Sequence, residues 1–148
     1  MPDKDTVERA KEDKRKGKAA STQAGEFVRE EMHHIREGVH GARSTKQAIA
    51  IGLSKARRAG VALKAPAKGK TSARTRQSAK RALAAGKRHA KPSSTRGRAV
   101  RKALEREGHA AANKPALARQ ARTAARRRSA ASRSAAAKKA ARTRARGR

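Results

Sequence analysis

Between positions 30 and 40 the chain carries six side chains able to bind a metal ion or move a proton: Glu30, Glu31, His33, His34, Glu37 and His40. Glu30-x-x-His33 and Glu31-x-x-His34 each set a carboxylate and an imidazole one helical turn apart, the spacing of carboxylate-bridged metal bundles. Such a bundle needs a second helix pair bearing the same motif, and the chain offers none. The HExxH spacing of zinc hydrolases is also missing. Glu30 with His34, and His33 with Glu37, make the i, i+4 pairs common on solvated helices. The expectation is an exposed acidic helix face, with no metal and no cofactor. Cysteine is absent, which removes thiolate ligands and disulfides. The serines lie at helix caps or in basic tracts, and no GxxxxGK[ST] loop occurs. Nothing supplies a nucleophile, a base and an oxyanion site together, so no catalytic residue is assigned and the chain is not read as an enzyme.

The abundant chemistry is cationic. Lys and Arg number 42 against 11 Asp and Glu, a net charge of +31. The distribution is sharper than the total, because residues 1–40 hold 9 basic and 9 acidic side chains while residues 41–148 hold 33 and 2. A block of one sign repels itself, and its natural complement is a polyanion whose condensed counterions are released on binding. The candidate phosphate-binding residues are Arg43, Lys46, Arg57 and Arg58, then Arg74, Arg76, Lys80 and Arg81, then Arg98, Arg101 and Lys102, and finally Arg126, Arg127 and Arg128. Phosphate contacts position a protein without reading bases. With no Trp or Tyr and one Phe, the chain lacks the aromatic platforms that grip unpaired bases. Duplex DNA is therefore favoured over RNA as the partner. The alternatives are an RNA- or ribosome-associated basic protein, or a protein-binding hairpin at 21–63 tethered to nucleic acid by its tail.

These side chains need elements to hold them, and only one stretch has the apolar content for a core. Of 16 large apolar residues, 10 lie in 21–63. Ala24, Phe27, Val28, Met32 and Ile35 share one face of a predicted helix over 23–37, with Ser21 or Thr22 as N-cap and Gly38 just past its end. Glu26, Glu30 and Glu37 fall on another face, and Glu31 lies close to the apolar stripe. A second helix starts at the capping box Ser44-Thr45-Lys46-Gln47 and ends at Gly60. Ala48, Gly52 and Ala56 recur every four residues beside Ile49 and Leu53, which lets another backbone come close. An αα-hairpin results.

Around it, residues 1–20 read as a charged, frayed helix anchored by Val7 alone. Residues 64–109 read as a linker and two basic helices, one capped by Ser72 and stopped by Gly86, the other capped by Thr95 and stopped by Gly108. Residues 110–148 hold 16 Ala, 13 Lys or Arg and no acid, the composition of a low-complexity tail. Like charges at i, i+4, such as Arg122 and Arg126, oppose a free helix there, and phosphate would remove that penalty. The fold class is mainly α: a small helical hairpin, short basic helices and a largely disordered or conditionally helical tail, without β-sheet.

The run STQAGEFVREEMHHIREGVHGARSTKQAIAIGLSKARRAG, with ALARQARTAARRR further on, resembles a bacterial family of small, very basic proteins of unknown function. The likeness spans most of the chain, specific in the hairpin and looser in the tail. It brings no catalytic residues, and it implies DNA binding of a histone H1-like kind. The tail is also similar to the basic tails of bacterial H1-like nucleoid proteins, but it is Arg-rich and has only Pro115 in the last 50 residues. The implied location is the bacterial cytoplasm, at the nucleoid. The longest apolar run is the short AIAIGL of 48–53, so no membrane association is expected.

Overall fold

The computed structural model describes residues 2–91 and 93–146. It is mainly helical, with seven α-helices among those residues: α1 (Lys4–Arg15), α2 (Ala20–Arg36), α3 (Thr45–Arg58), α4 (Ala73–Lys87), α5 (Ser94–Glu105), α6 (Lys114–Arg126) and α7 (Ala130–Arg146). A 3-10 turn, Ala110–Ala112, precedes α6. Two compact units result, Met1–Asn113 and Lys114–Arg148.

In the first unit α2 and α3 pack on each other, α1 packs on α2, and α4 on α3. The small-residue stripe explains the central contact. Ala48 and Ala56 are fully buried and Gly52 lies against α2, where an added Cβ would stand 2.7 Å from Val28 Cα and 3.0 Å from Phe27 O. Ala24, Phe27 and Ile35 on the facing side of α2 are likewise fully buried. The main apolar cluster is Ala10, Ala24, Phe27, Ala56 and Val61, flanked by Val7, Ala20, Leu53 and Leu63. Most of its members are alanines, so close backbone approach replaces side-chain bulk.

The ends of α2 and α3 show why the hairpin turns where it does. Gly38 and Gly60 adopt φ of +76° and +93°, a conformation that is free of steric cost only for glycine. Val39 N donates to His34 O and Gly38 N to Ile35 O, and Val61 N to Ala56 O and Gly60 N to Arg57 O, a Schellman closure each time. Ser44 caps α3 through the Gln47 amide, as the sequence predicts. Gln47 returns its Oε1 to the Arg43 amide and not to that of Ser44, so the capping box is offset by one residue.

Several boundaries differ from expectation. Helix α2 starts at Ala20, before Ser21 and Thr22, and has no side-chain cap; Gln23 reaches back instead to Lys18 O. Ser93, not Thr95, caps α5. Gly86 does not stop α4 but lies buried inside it, with Arg57 O where a Cβ would go, at 2.1 Å. The true end comes at His89, which takes the left-handed conformation there. The 1–20 segment is well-formed helix over Lys4–Arg15 and buries Thr6, Ala10 and Asp13. Its partner is the side of α2 that carries the glutamates.

Residues 104–112 return to the α2–α3 loop. Gly41 N donates to Leu104 O and Ala42 N to Gly108 O, Thr45 Oγ1 donates to Ala111 O at 2.6 Å, and Arg36 Nε donates to Ala112 O at 2.9 Å. A side chain at position 41 would collide with the carbonyl of Glu107.

The Ala- and Arg-rich second unit is helical in α6 and α7, in keeping with the high helix propensity of both residue types. Neither helix has a buried residue. Ser129 caps α7 by accepting from the Ser132 amide, and the Arg128 guanidinium donates to Ser132 Oγ and O.

Candidate functional site

Two features carry chemistry: a basic outer surface and a polar cluster enclosed by α1, α2 and α3. The surface is built chiefly on α4, whose buried side consists of Ala79, Ala82 and Gly86. At 100° per residue, Arg74 and Arg81 form one row beside the outward face, and Arg76, Lys80 and Lys87 form another. Among the described residues none of these five makes an ion pair, and α4 contains no acid. Arg43, Lys46 and Arg58 are exposed around α3, although Arg43 is 3.9 Å from Glu107. Arg98, Arg101 and Lys102 are exposed on α5, where nothing is buried. Arg126, Arg127 and Arg128 are exposed in the second unit, at the end of α6 and the turn beyond it.

Arg57 is the exception. It is 7% exposed, and its guanidinium donates to Leu63 O, Leu53 O and Lys64 O. Burial pushes its pKa down from the ordinary arginine value. It holds the chain leaving α3 and offers nothing to a phosphate. The reading of Arg57 as a contact residue is therefore corrected: its i, i+4 relation to Leu53 placed it on the packed side of α3.

The acids are largely engaged within the first unit. Glu26 meets Arg9 at 2.8 Å, Asp13 meets Lys18 at 2.7 Å, and Glu8 and Glu12 pair with Lys11 and Lys16 on their own helix. Hydrogen bonds from those lysines hold the Glu8 and Glu12 carboxyls below the ordinary value.

The exposed acidic face expected on α2 is not there. Glu30 is 5% exposed and Glu31 fully buried; Glu30 meets the chain just ahead of α1, and both meet α3 through Lys55. Lys55 reaches in from α3, with Nζ 2.7 Å from Glu31 Oε2 and 3.2 Å from Glu30 Oε1. The Asp3 amide donates to Glu30 Oε2 at 3.1 Å, and His34 Nε2 lies 3.2 Å from Asp3 Oδ2. His40, 9% exposed, turns Nε2 toward Glu31 Oε1 at 3.4 Å and Nδ1 toward Gly41 O at 3.1 Å. Burial alone would lower the Lys55 pKa, but the Glu31 and Glu30 carboxylates more than offset it and raise the value.

Sequence reasoning missed Lys55, which sits in the basic run SKARRAG and reads there as one more surface cation. Its signal is the helical phase it shares with Ala48 and Gly52, seven and three residues earlier, and on the other helix the nearness of Glu31 to the apolar stripe.

Comparison with protein-family models, with curated proteins and with solved structures returns no match. No helix among the described residues is long and apolar enough to cross a membrane.

Proposed function

We propose that the protein binds duplex DNA through its phosphates with little regard to sequence, as a nucleoid-associated or histone H1-like protein. The observation that carries this reading is the separation of charge. The acids of residues 1–40 are mostly spent on cations of the same unit, whereas α4 presents five unpaired cations on one outward half. Arg74 and Arg81 are seven residues apart, about 10 Å along the axis. Such a row can follow a phosphate backbone without entering a groove. Arg43, Lys46, Arg58, Arg98, Arg101 and Lys102 extend the contact, and the helices of the second unit add cations with no acid among them. Helicity in α6 and α7 is opposed in free solution by i, i+4 repulsion, so contact with phosphates should stabilise it.

Salt dependence tests the reading. With about ten phosphate contacts, the logarithm of the association constant falls against that of salt with a slope near −9, on any duplex sequence. A slope near −2, a strong preference for one sequence, or tighter binding to structured RNA than to DNA in the same buffer overturns it.

A further inference from the structure

The Glu31 carboxylate is fully buried, yet neither oxygen has an aligned hydrogen-bond donor. Lys55 Nζ stands 2.7 Å from Oε2 and pairs with it by charge, which leaves Oε1 without a donor. Oε1 faces His40 Nε2 at 3.4 Å. The tautomer of His40 follows from its other contact. The Gly41 carbonyl, 3.1 Å from Nδ1, can only accept, so Nδ1 carries a proton, and in that tautomer the Nε2 lone pair is turned toward the carboxylate. Two acceptors then face each other in a buried space, an arrangement that calls for a cation between them.

We propose that this cation is a divalent transition-metal ion of the zinc type, held by Glu31 Oε1, His40 Nε2 and a ring nitrogen of His34. The three donors all lie within 4.8 Å of one another. Tetrahedral zinc with bonds of about 2.0–2.1 Å keeps neighbouring donors about 3.3 Å apart, close to the Glu31–His40 separation. A carbonyl accepting the distal N–H of a metal-bound histidine, as Gly41 O does for His40, is the usual outer-shell support, and Asp3 at His34 Nε2 is placed for a similar part. Charge agrees. Asp3, Glu30 and Glu31 against Lys55 leave the cluster two negative charges in excess while both imidazoles are neutral, which one divalent ion cancels. Lys55 keeps Oε2 and Oε1 becomes the metal donor. The donors come from α2 and from the loop before α3, and Lys55 and Asp3 tie in α3 and the chain ahead of α1. The bound ion therefore acts as a structural clasp, and this assignment is independent of whether the protein binds DNA.

The test uses the full chain freed of nucleic acid, titrated with Zn2+ alone and followed by calorimetry, thermal melting and NMR of the imidazole nitrogens. The expected result is one ion per chain, a raised melting temperature, and first perturbation of His34 and His40 among the five histidines. Mg2+ at equal concentration leaves melting unchanged. Acidifying to about pH 5.5 abolishes binding, because protons compete for the same lone pairs. His40→Gln weakens binding at least about 10-fold, whereas His33→Gln, at a position exposed beside Glu37, does not. Perturbation of His33, His89 or His109 before His34 and His40, equal stabilisation by Mg2+, or unchanged affinity in His40→Gln overturns the proposal. The NMR result decides even if His40→Gln fails to fold.

Discussion

Lys55 shows what a single side chain does here. Its ammonium holds two carboxylates out of water, and removing one member of a buried ionic group leaves the others uncompensated. Lys55→Met should lower unfolding stability by about 3 kcal/mol or more, measured by urea denaturation. Adding Glu31→Gln to that variant should restore part of the loss, and additive losses would show that the two do not interact. The pH dependence has a definite sign. A raised lysine pKa means that the folded state binds the proton more tightly than the unfolded chain, so the Lys55 contribution is complete below 10.5. It disappears as the pH climbs through the higher folded-state value. Alkaline melting should therefore show a stability loss above pH 10.5 that Lys55→Met lacks. By composition SKARRAG does not disclose this, because Lys55, Arg57 and Arg58 differ there only in helical phase. Phase alone sends Arg58 to solvent, Arg57 to the backbone and Lys55 to the glutamates.

At the scale of elements, local signals specified most of the first unit. The four-residue recurrence of Ala48, Gly52 and Ala56, the glycines after α2 and α3, and the Ser44 and Ser72 caps all act within a few residues, and each is found as read. What escaped depends on distant partners. The same symbol, glycine near the end of a basic helix, marks a turn at Gly60 and a helix contact at Gly86, and only the position of Arg57 O separates the two. Likewise α1 is polar by composition, and beside the apolar contact of Val7 and Ala10 it meets α2 through Arg9 with Glu26 and the Asp3 amide with Glu30, pairings that no apolar count discloses. Gly86→Ala tests the contact, since its new methyl meets a backbone carbonyl that cannot move aside. The variant should lose about 1–3 kcal/mol and show faster amide exchange across α4, with α2 and α3 less affected. Gly97→Ala, where an added Cβ meets open space, is the matched control and should be neutral or slightly stabilising.

The whole molecule divides its labour between a unit that neutralises itself inside and a surplus of cations outside. The second unit carries 13 of the 42 Lys and Arg. Ending the chain after Asn113 should weaken duplex binding and make the salt slope shallower without abolishing it, because α4 and α5 keep their cations. Filter binding across a salt series measures this. A slope unchanged by the truncation would place all of the contact on the first unit. The packing of α2 on α3 was visible because it is local. The closure of the first unit was not, since it joins residues about 70 positions apart.

That closure also has a history. The amides of Gly41 and Ala42 and the Arg36 and Thr45 side chains await partners that are synthesised only when the chain reaches 104–112. At about 5–20 residues per second, the interval is roughly 4–14 s, far longer than helix formation requires. For those seconds a nascent α2–α3 pair stands with its loop open, while the cations of α4 and α5 emerge close to the polyanionic RNA of the machine that makes them.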